Sequence, residues 1–223
     1  MIILIALGFL EKVPKEYYCT YEDDPEKEVV CKPEDFCNDP SVLSYHPNME
    51  LKQSYQNWIS HYNLTCTPGG YIGLIGSCFF TGWIITLIFI PRISDLNGRQ
   101  KLIMYGNIVC TLAYALLFIS HSYVVLIISM TIMGMMSTIR AQIGTIYLYE
   151  SLQKHAFVLT YTIFMALEGA AGVFVSLYFM YVSKNFIWLL ATGFCMQIVG
   201  TLITLTYPES LRWLIKSGQI KEA

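Results

Sequence analysis

Charged residues are scarce in this chain, and several of the few it has are placed where they could do chemistry. The stretch PRISDLNGRQK, residues 91–101, gathers Arg92, Asp95, Arg99 and Lys101 around Gly98. Glu150, Glu209 and Arg212 stand at the ends of other apolar runs, while Arg140 and Glu168 each sit inside one. A charge at the centre of a bilayer costs at least ~2.5–3.5 kcal/mol. These two residues must therefore neutralise each other or face the ionic group of a small molecule. That is the chemistry of ion pairing and charge recognition. Neither a His-Glu-x-x-His metal helix nor a Gly-x-Ser-x-Gly nucleophile turn occurs, and His46, His61, His121 and His155 are scattered through the connections. No enzyme activity, no cofactor and no metal site is expected.

Such charges need elements to hold them, and composition decides the solvent of those elements. Of 223 residues, 55% are hydrophobic and 13% charged, where a soluble domain is about 45–50% apolar. Residues 11–70 hold eleven Asp/Glu and five Lys, a net of −6; the rest hold nine Lys/Arg and five Asp/Glu, a net of +4. Neither part has the Lys/Arg stripe that nucleic acid requires, so the expected surroundings are a lipid bilayer and no nucleic acid. A bilayer core about 30 Å thick needs roughly 20 apolar helical residues. Residues 71–91, 102–120, 123–149, 156–183 and 186–207 meet that need. The breaks between them, SDLNGRQK, SHS, ESLQKH and SKN, are short and imply antiparallel neighbours. A membrane barrel would show turn signals about every ten residues. The expected fold class is an all-α membrane protein.

Orientation follows from Lys and Arg, which concentrate on the cytoplasmic side. Arg92, Arg99 and Lys101 share one connection, Lys154 lies in another, and Arg212, Lys216 and Lys221 follow the last run. PRISDLNGRQK therefore faces the cytoplasm and residues 11–70 face outward. Asn63-Leu64-Thr65, an N-glycosylation sequon, falls in that exterior segment. So do Cys19, Cys31, Cys37 and Cys66, an even set that an oxidising compartment would pair in one of three ways. A zinc site is the weaker reading, because no two of the four have tight Cys-x-x-Cys spacing. Cys78, Cys110 and Cys195 read as small buried hydrophobes. MIILIALGFL, residues 1–10, makes about 15 Å of helix. It lacks a basic leader and a cleavage site, and reads as the outer half of a first helix whose inner half is missing.

SDLNGRQK resembles the signature of the major facilitator superfamily between its second and third helices, with Asp95, Gly98 and Arg99 matching; Pro91 and Leu96 replace the usual Gly and Arg. PESLRWLIKSG, residues 208–218, resembles the Pro-Glu-Ser-Pro-Arg-Trp-Leu segment at the end of the sixth helix in sugar porters and organic ion transporters. Pro208, Glu209, Ser210, Arg212, Trp213 and Leu214 match it, and Leu211 replaces the second Pro. YLYE, ending at Glu150, is similar to that group's fourth helix end. The long Cys-containing loop closing in WISHYNLTC resembles the organic cation/anion transporter branch. By that resemblance the chain is the N-terminal six-helix bundle of a major facilitator fold, with its first helix truncated and a large extracellular loop. Asp95, Gly98, Arg99, Glu150, Glu209 and Arg212 would then form a cytoplasmic charge network that gates the bundle. Solvated interface charges, each pair worth about 0–1 kcal/mol, are the plainer reading of the same residues.

Arg140 lies ten residues before Glu150, and Glu168 thirteen after His155, which puts both at similar depth on adjacent helices. They read as a structural ion pair or as lining for a substrate cavity near the midplane. The expected organisation is a truncated helix over 1–10, an extracellular loop over 11–70, transmembrane helices over 71–207 and the start of a cytoplasmic tail over 208–223. The expected function is transport of a small organic ion by alternating access, as part of a twelve-helix secondary transporter of the plasma membrane. A sugar porter, or a transport-inactive half that acts as a membrane binding partner, is the alternative. The expected partners are the solute, the bilayer, and a missing C-terminal six-helix half or a second half-transporter.

Overall fold

The computed structural model describes residues 2–22, 24–51 and 54–216. Met1 and residues 217–223, with Lys221 of the expected tail, lie outside them. Two compact units form among the described residues, one from residues 2–73 with 171–191, the other from residues 74–170 with 192–216.

The first unit begins with α1 (Ile2–Leu10), which buries Ile3, Ala6 and Leu10 at helical spacing. A three-stranded sheet follows, an addition to the all-α expectation. It comprises β1 (Tyr17–Tyr21), β2 (Asp24–Cys31) and β3 (Val42–Pro47), in the order β2-β1-β3 with both pairings antiparallel. The aromatic run YYCTY and the pair Val29-Val30 suit a pleated surface. Short helices α2 (Pro33–Phe36) and α3 (Trp58–His61) complete the segment. Of the three possible pairings the cysteines take Cys19–Cys31 and Cys37–Cys66, with Cα atoms 6.0 and 5.3 Å apart. These bonds leave no thiolate there for zinc. Tyr17, Cys19, Cys31 and Phe36 form the small core.

Polar side chains close the unit where apolar area is short. Asn57 is fully buried; its Nδ2 donates to the carbonyls of Phe9 and Lys12 at 3.1 and 2.6 Å, and its Oδ1 accepts from Ile59 N. Lys184, placed by sequence in a bare connection, donates from Nζ to the carbonyls of Met49 and Leu51. Gln56 adds backbone hydrogen bonds to Lys184 and Phe186.

The spanning helices are α4 (Gly69–Asn97), α5 (Arg99–Ile119), α6 (Tyr123–Thr138) running through a π turn (Ile139–Ile143) into α7 (Gly144–Ser151), α8 (Lys154–Leu177) ending in a second π turn (Tyr178–Val182), and α9 (Phe186–Thr204). Among the described residues five continuous helices are long and apolar enough to cross a membrane. As little as 17% of a span is buried, and Ile88, Phe89 and Met196 stand largely exposed. In water that surface would be an aggregation hazard; in lipid it is the outer face. The chain is an integral, multi-pass membrane protein.

Helix ends reach beyond the apolar runs. α4 continues through Pro91 and the polar residues RISDLN, so the expected break SDLNGRQK shrinks to Gly98 alone. Intrahelical hydrogen bonding carries the helix into polar sequence. Within the second unit α4 and α6 approach closely, as small residues in spanning helices allow. A Cβ on Gly82 would overlap the Thr131 carbonyl, and one on Gly134 the Phe79 carbonyl. Thr86 and Thr138 hydroxyls meet at 2.8 Å on the same seam. Cys110 is buried as expected and Cys78 half-buried, but Cys195 is exposed on α9.

Candidate functional site

The charged residues at the helix ends converge in the second unit. Gly98 makes the turn from α4 to α5 with φ +97°, a conformation L side chains rarely adopt. The turn leaves the first N–H groups of α5 without intrahelical partners, and Gly98 has no side chain to cap them. Glu209 supplies the cap from the far end of the sequence: its Oε1 accepts Arg99 N at 2.9 Å and Gln100 N at 3.0 Å. A carboxylate there also meets the positive end of the helix dipole. Its other oxygen, Oε2, lies where a Cβ on Gly98 would intrude and has no hydrogen bond among the described residues.

Arg99 is the hub. Its Nη1 lies 2.5 Å from Glu150 Oε2 at the end of α7, with both side chains 13% exposed, and its Nη2 lies 3.3 Å from the more open Asp95. Ser210 Oγ donates to the same Glu150 oxygen at 2.7 Å. Tyr147 donates its hydroxyl to the Pro208 carbonyl, and the Trp213 indole donates to the Asp95 carbonyl. Asp95, Gly98, Arg99, Glu150 and Glu209 are thus brought together. Arg212, on the short helix α10 (Leu211–Lys216), is not joined to either glutamate; its guanidinium lies over the Tyr149 ring at 5.4 Å. The roles of Gln100 and Ser210 are new. The Ser in the PES triplet was visible, but nothing in the sequence tied it to Glu150, sixty residues earlier.

The intramembrane pair differs from the expectation. Arg140 lies in the π turn and reaches α9, donating from Nη1 to Gln197 Oε1 at 2.7 Å and from Nη2 to Ser137 Oγ at 3.2 Å. Among the described residues no ion pair joins it to Glu168, which lies half-buried on α8. The facing amide is within reach where the carboxylate is not. Around it runs a polar seam between α5 and α9: Thr111 and Thr201 meet at 2.9 Å, and Asn107 donates to Thr204 at 3.4 Å. Gln197 carried no motif and was missed.

In the polar segment, Asn63 is exposed with φ 54°, the left-handed region that Asn tolerates. Thr65 of its sequon is buried and accepts the Tyr17 hydroxyl at 3.4 Å. Burial raises the Tyr17 hydroxyl above its ordinary value and pushes Tyr62 up to about 12. Hydrogen bonds from Ser41 hold Asp39 below the usual carboxylate range.

The family model for sugar (and other) transporters matches residues 40–223. The arabinose-proton symporter of Bacillus subtilis is 26% identical over 161 residues, covering 68% of this chain and 35% of that protein. Solute carrier family 22 member 7 of Rattus norvegicus is 23% identical and solute carrier family 22 member 2 of Homo sapiens 27% identical; each match covers 74% of this chain and 30% of the relative. These matches thus span about a third of each relative's length.

Proposed function

The chain belongs to the sugar (and other) transporter family of the major facilitator superfamily, and on that premise we propose that it is part of a secondary transporter moving a small organic ion across the plasma membrane by alternating access. The observation that carries this reading is the Arg99 hub, because one guanidinium ties the ends of α4 and α7 while Glu209 fixes the start of α5. Such a cluster holds helix ends together in one state and releases them when its charges part, as rocking of a bundle around a central site requires. The segment over residues 11–70 is exterior in this reading, carrying the two disulfides and a glycan on Asn63. The charge cluster and the tail from residue 208 are cytoplasmic. A second set of helices, from a longer chain or another protein, completes the pathway. Catalysis of a bond-breaking reaction has no part in it.

The arabinose symporter among the relatives favours a sugar as the second reading. Uptake into cells expressing the native protein separates them. Saturable uptake of an organic ion that Arg99→Gln abolishes is expected. Saturable uptake of a neutral sugar such as arabinose alone would favour the sugar reading. No uptake from protein intact at the cell surface would mean a transport-inactive member that acts by binding.

A further inference from the structure

We propose that Arg140, with Ser137, Gln197 and Tyr114 around it, binds the anionic group, a carboxylate or sulfonate, of a small organic solute. The proposal rests on the transporter reading and gives its substrate a charge. Arg140 lies eleven residues before the end of the 29-residue continuous helix Tyr123–Ser151, roughly 16 Å along it, near the midplane where solute sites of such transporters lie. It also lies in a π turn, a departure from α-helix geometry common at functional sites.

Among the described residues the hydrogen-bond partners of Arg140 are all neutral. Gln197 and Ser137 take two N–H groups and hold the guanidinium in place without cancelling its charge. A guanidinium carries five donors in a planar fork that matches an oxyanion in two places, so donors remain. Tyr114 adds another. It stands on α5, which packs against the π turn; its side chain is 4% exposed, and its hydroxyl has no hydrogen-bond partner among the described residues. A cation held by an amide and a hydroxyl in a low-dielectric span attracts an anion strongly. An organic cation at the same place meets repulsion. Glu168, the other intramembrane charge, forms no ion pair with Arg140 in this structure.

The test is thermal unfolding of the full chain in mild detergent with benzoate, benzylamine or benzyl alcohol, one ring bearing an anion, a cation or neither. Benzoate alone should raise the unfolding temperature. The rise should vanish in Arg140→Gln, survive in part in Arg140→Lys and persist in Glu168→Gln. A second measurement needs no substitution: benzoate should slow modification of Arg140 by phenylglyoxal, read from peptide masses, while Arg92 and Arg212 react as before. Equal shifts with all three compounds, or Arg140 left unprotected, would overturn the proposal. Restoration of Arg140→Gln by a second change, Glu168→Gln, would show that the arginine serves the acid and would overturn it too. Binding is read here without transport, so failure leaves the uptake experiment free to succeed with a cation or a sugar.

Discussion

Glu209 caps the helix that begins at Arg99, its carboxylate accepting the Arg99 N–H at 2.9 Å across 110 positions of sequence. Helix caps are usually supplied by the residue next door. Here Gly98 provides the turn and a residue beyond α9 provides the cap, so the fold of one helix start depends on the docking of a distant segment.

Removing that acceptor should cost stability. Glu209→Ala is expected to destabilise the chain by about 1 kcal/mol, the usual loss for a capping side chain, and Glu209→Gln by less because its carbonyl still accepts. Thermal unfolding in detergent reads both. An Ala variant as stable as the parent would mean that water serves the α5 N–H groups equally well.

Gly98→Ala should be costlier than an ordinary surface change. The backbone there, φ 97° with ψ 154°, lies in a region essentially reserved for glycine and penalises a side chain by roughly 1–3 kcal/mol, and the new Cβ would press on Glu209 Oε2. The second effect disappears when Glu209 is already Ala. The two substitutions should therefore lose less together than the sum of their separate losses, measured as a double-mutant cycle.

Peptide mapping without reductant should recover Cys19 joined to Cys31 and Cys37 joined to Cys66. In the same preparation from a glycosylating cell, glycosidase treatment should lower the mass of the parent and leave Asn63→Gln unchanged. A glycan on Asn63 fixes residues 11–70 outside; an unmodified Asn63 beside intact disulfides would weaken that orientation.

Tyr62 gives the polar segment an alkaline limit. Burial pushes its hydroxyl up to about 12, whereas an unfolded tyrosine ionises near ~10. The folded state therefore holds the proton longer, and the associated stability is whole below pH ~10 and declines as pH rises toward about 12. Tyr62→Phe should flatten the dependence, seen as a smaller loss of unfolding temperature over that window. An unchanged slope would place Tyr62 in contact with solvent.

The five spans were legible because each apolar run is long enough for lipid, and Gly98 because no other residue fits so tight a turn. The even cysteine set announced disulfides without announcing partners. The sheet escaped notice because β1 pairs with β3 some twenty-five residues away, and strand pairing leaves little trace in either segment alone. Helix ends were misplaced where hydrogen bonding carried α4 past Pro91 to Asn97. Arg140 was seen as a charge in need of a partner. That the partner is Gln197 depends on how α6 and α9 pack, and a neutral amide in an apolar run looks like any other exception.

On the proposed transporter reading, the Arg99 cluster locks the helix ends that must part during transport. Spin labels at Leu96 and Ile215, both exposed, would report the distance between the end of α4 and α10 in the full chain. With Arg99→Gln and Glu150→Gln combined, the distribution should broaden and gain a longer population while the helical content stays the same. A distribution identical to the parent's would show that packing, not these charges, holds the ends together, and would contradict the account.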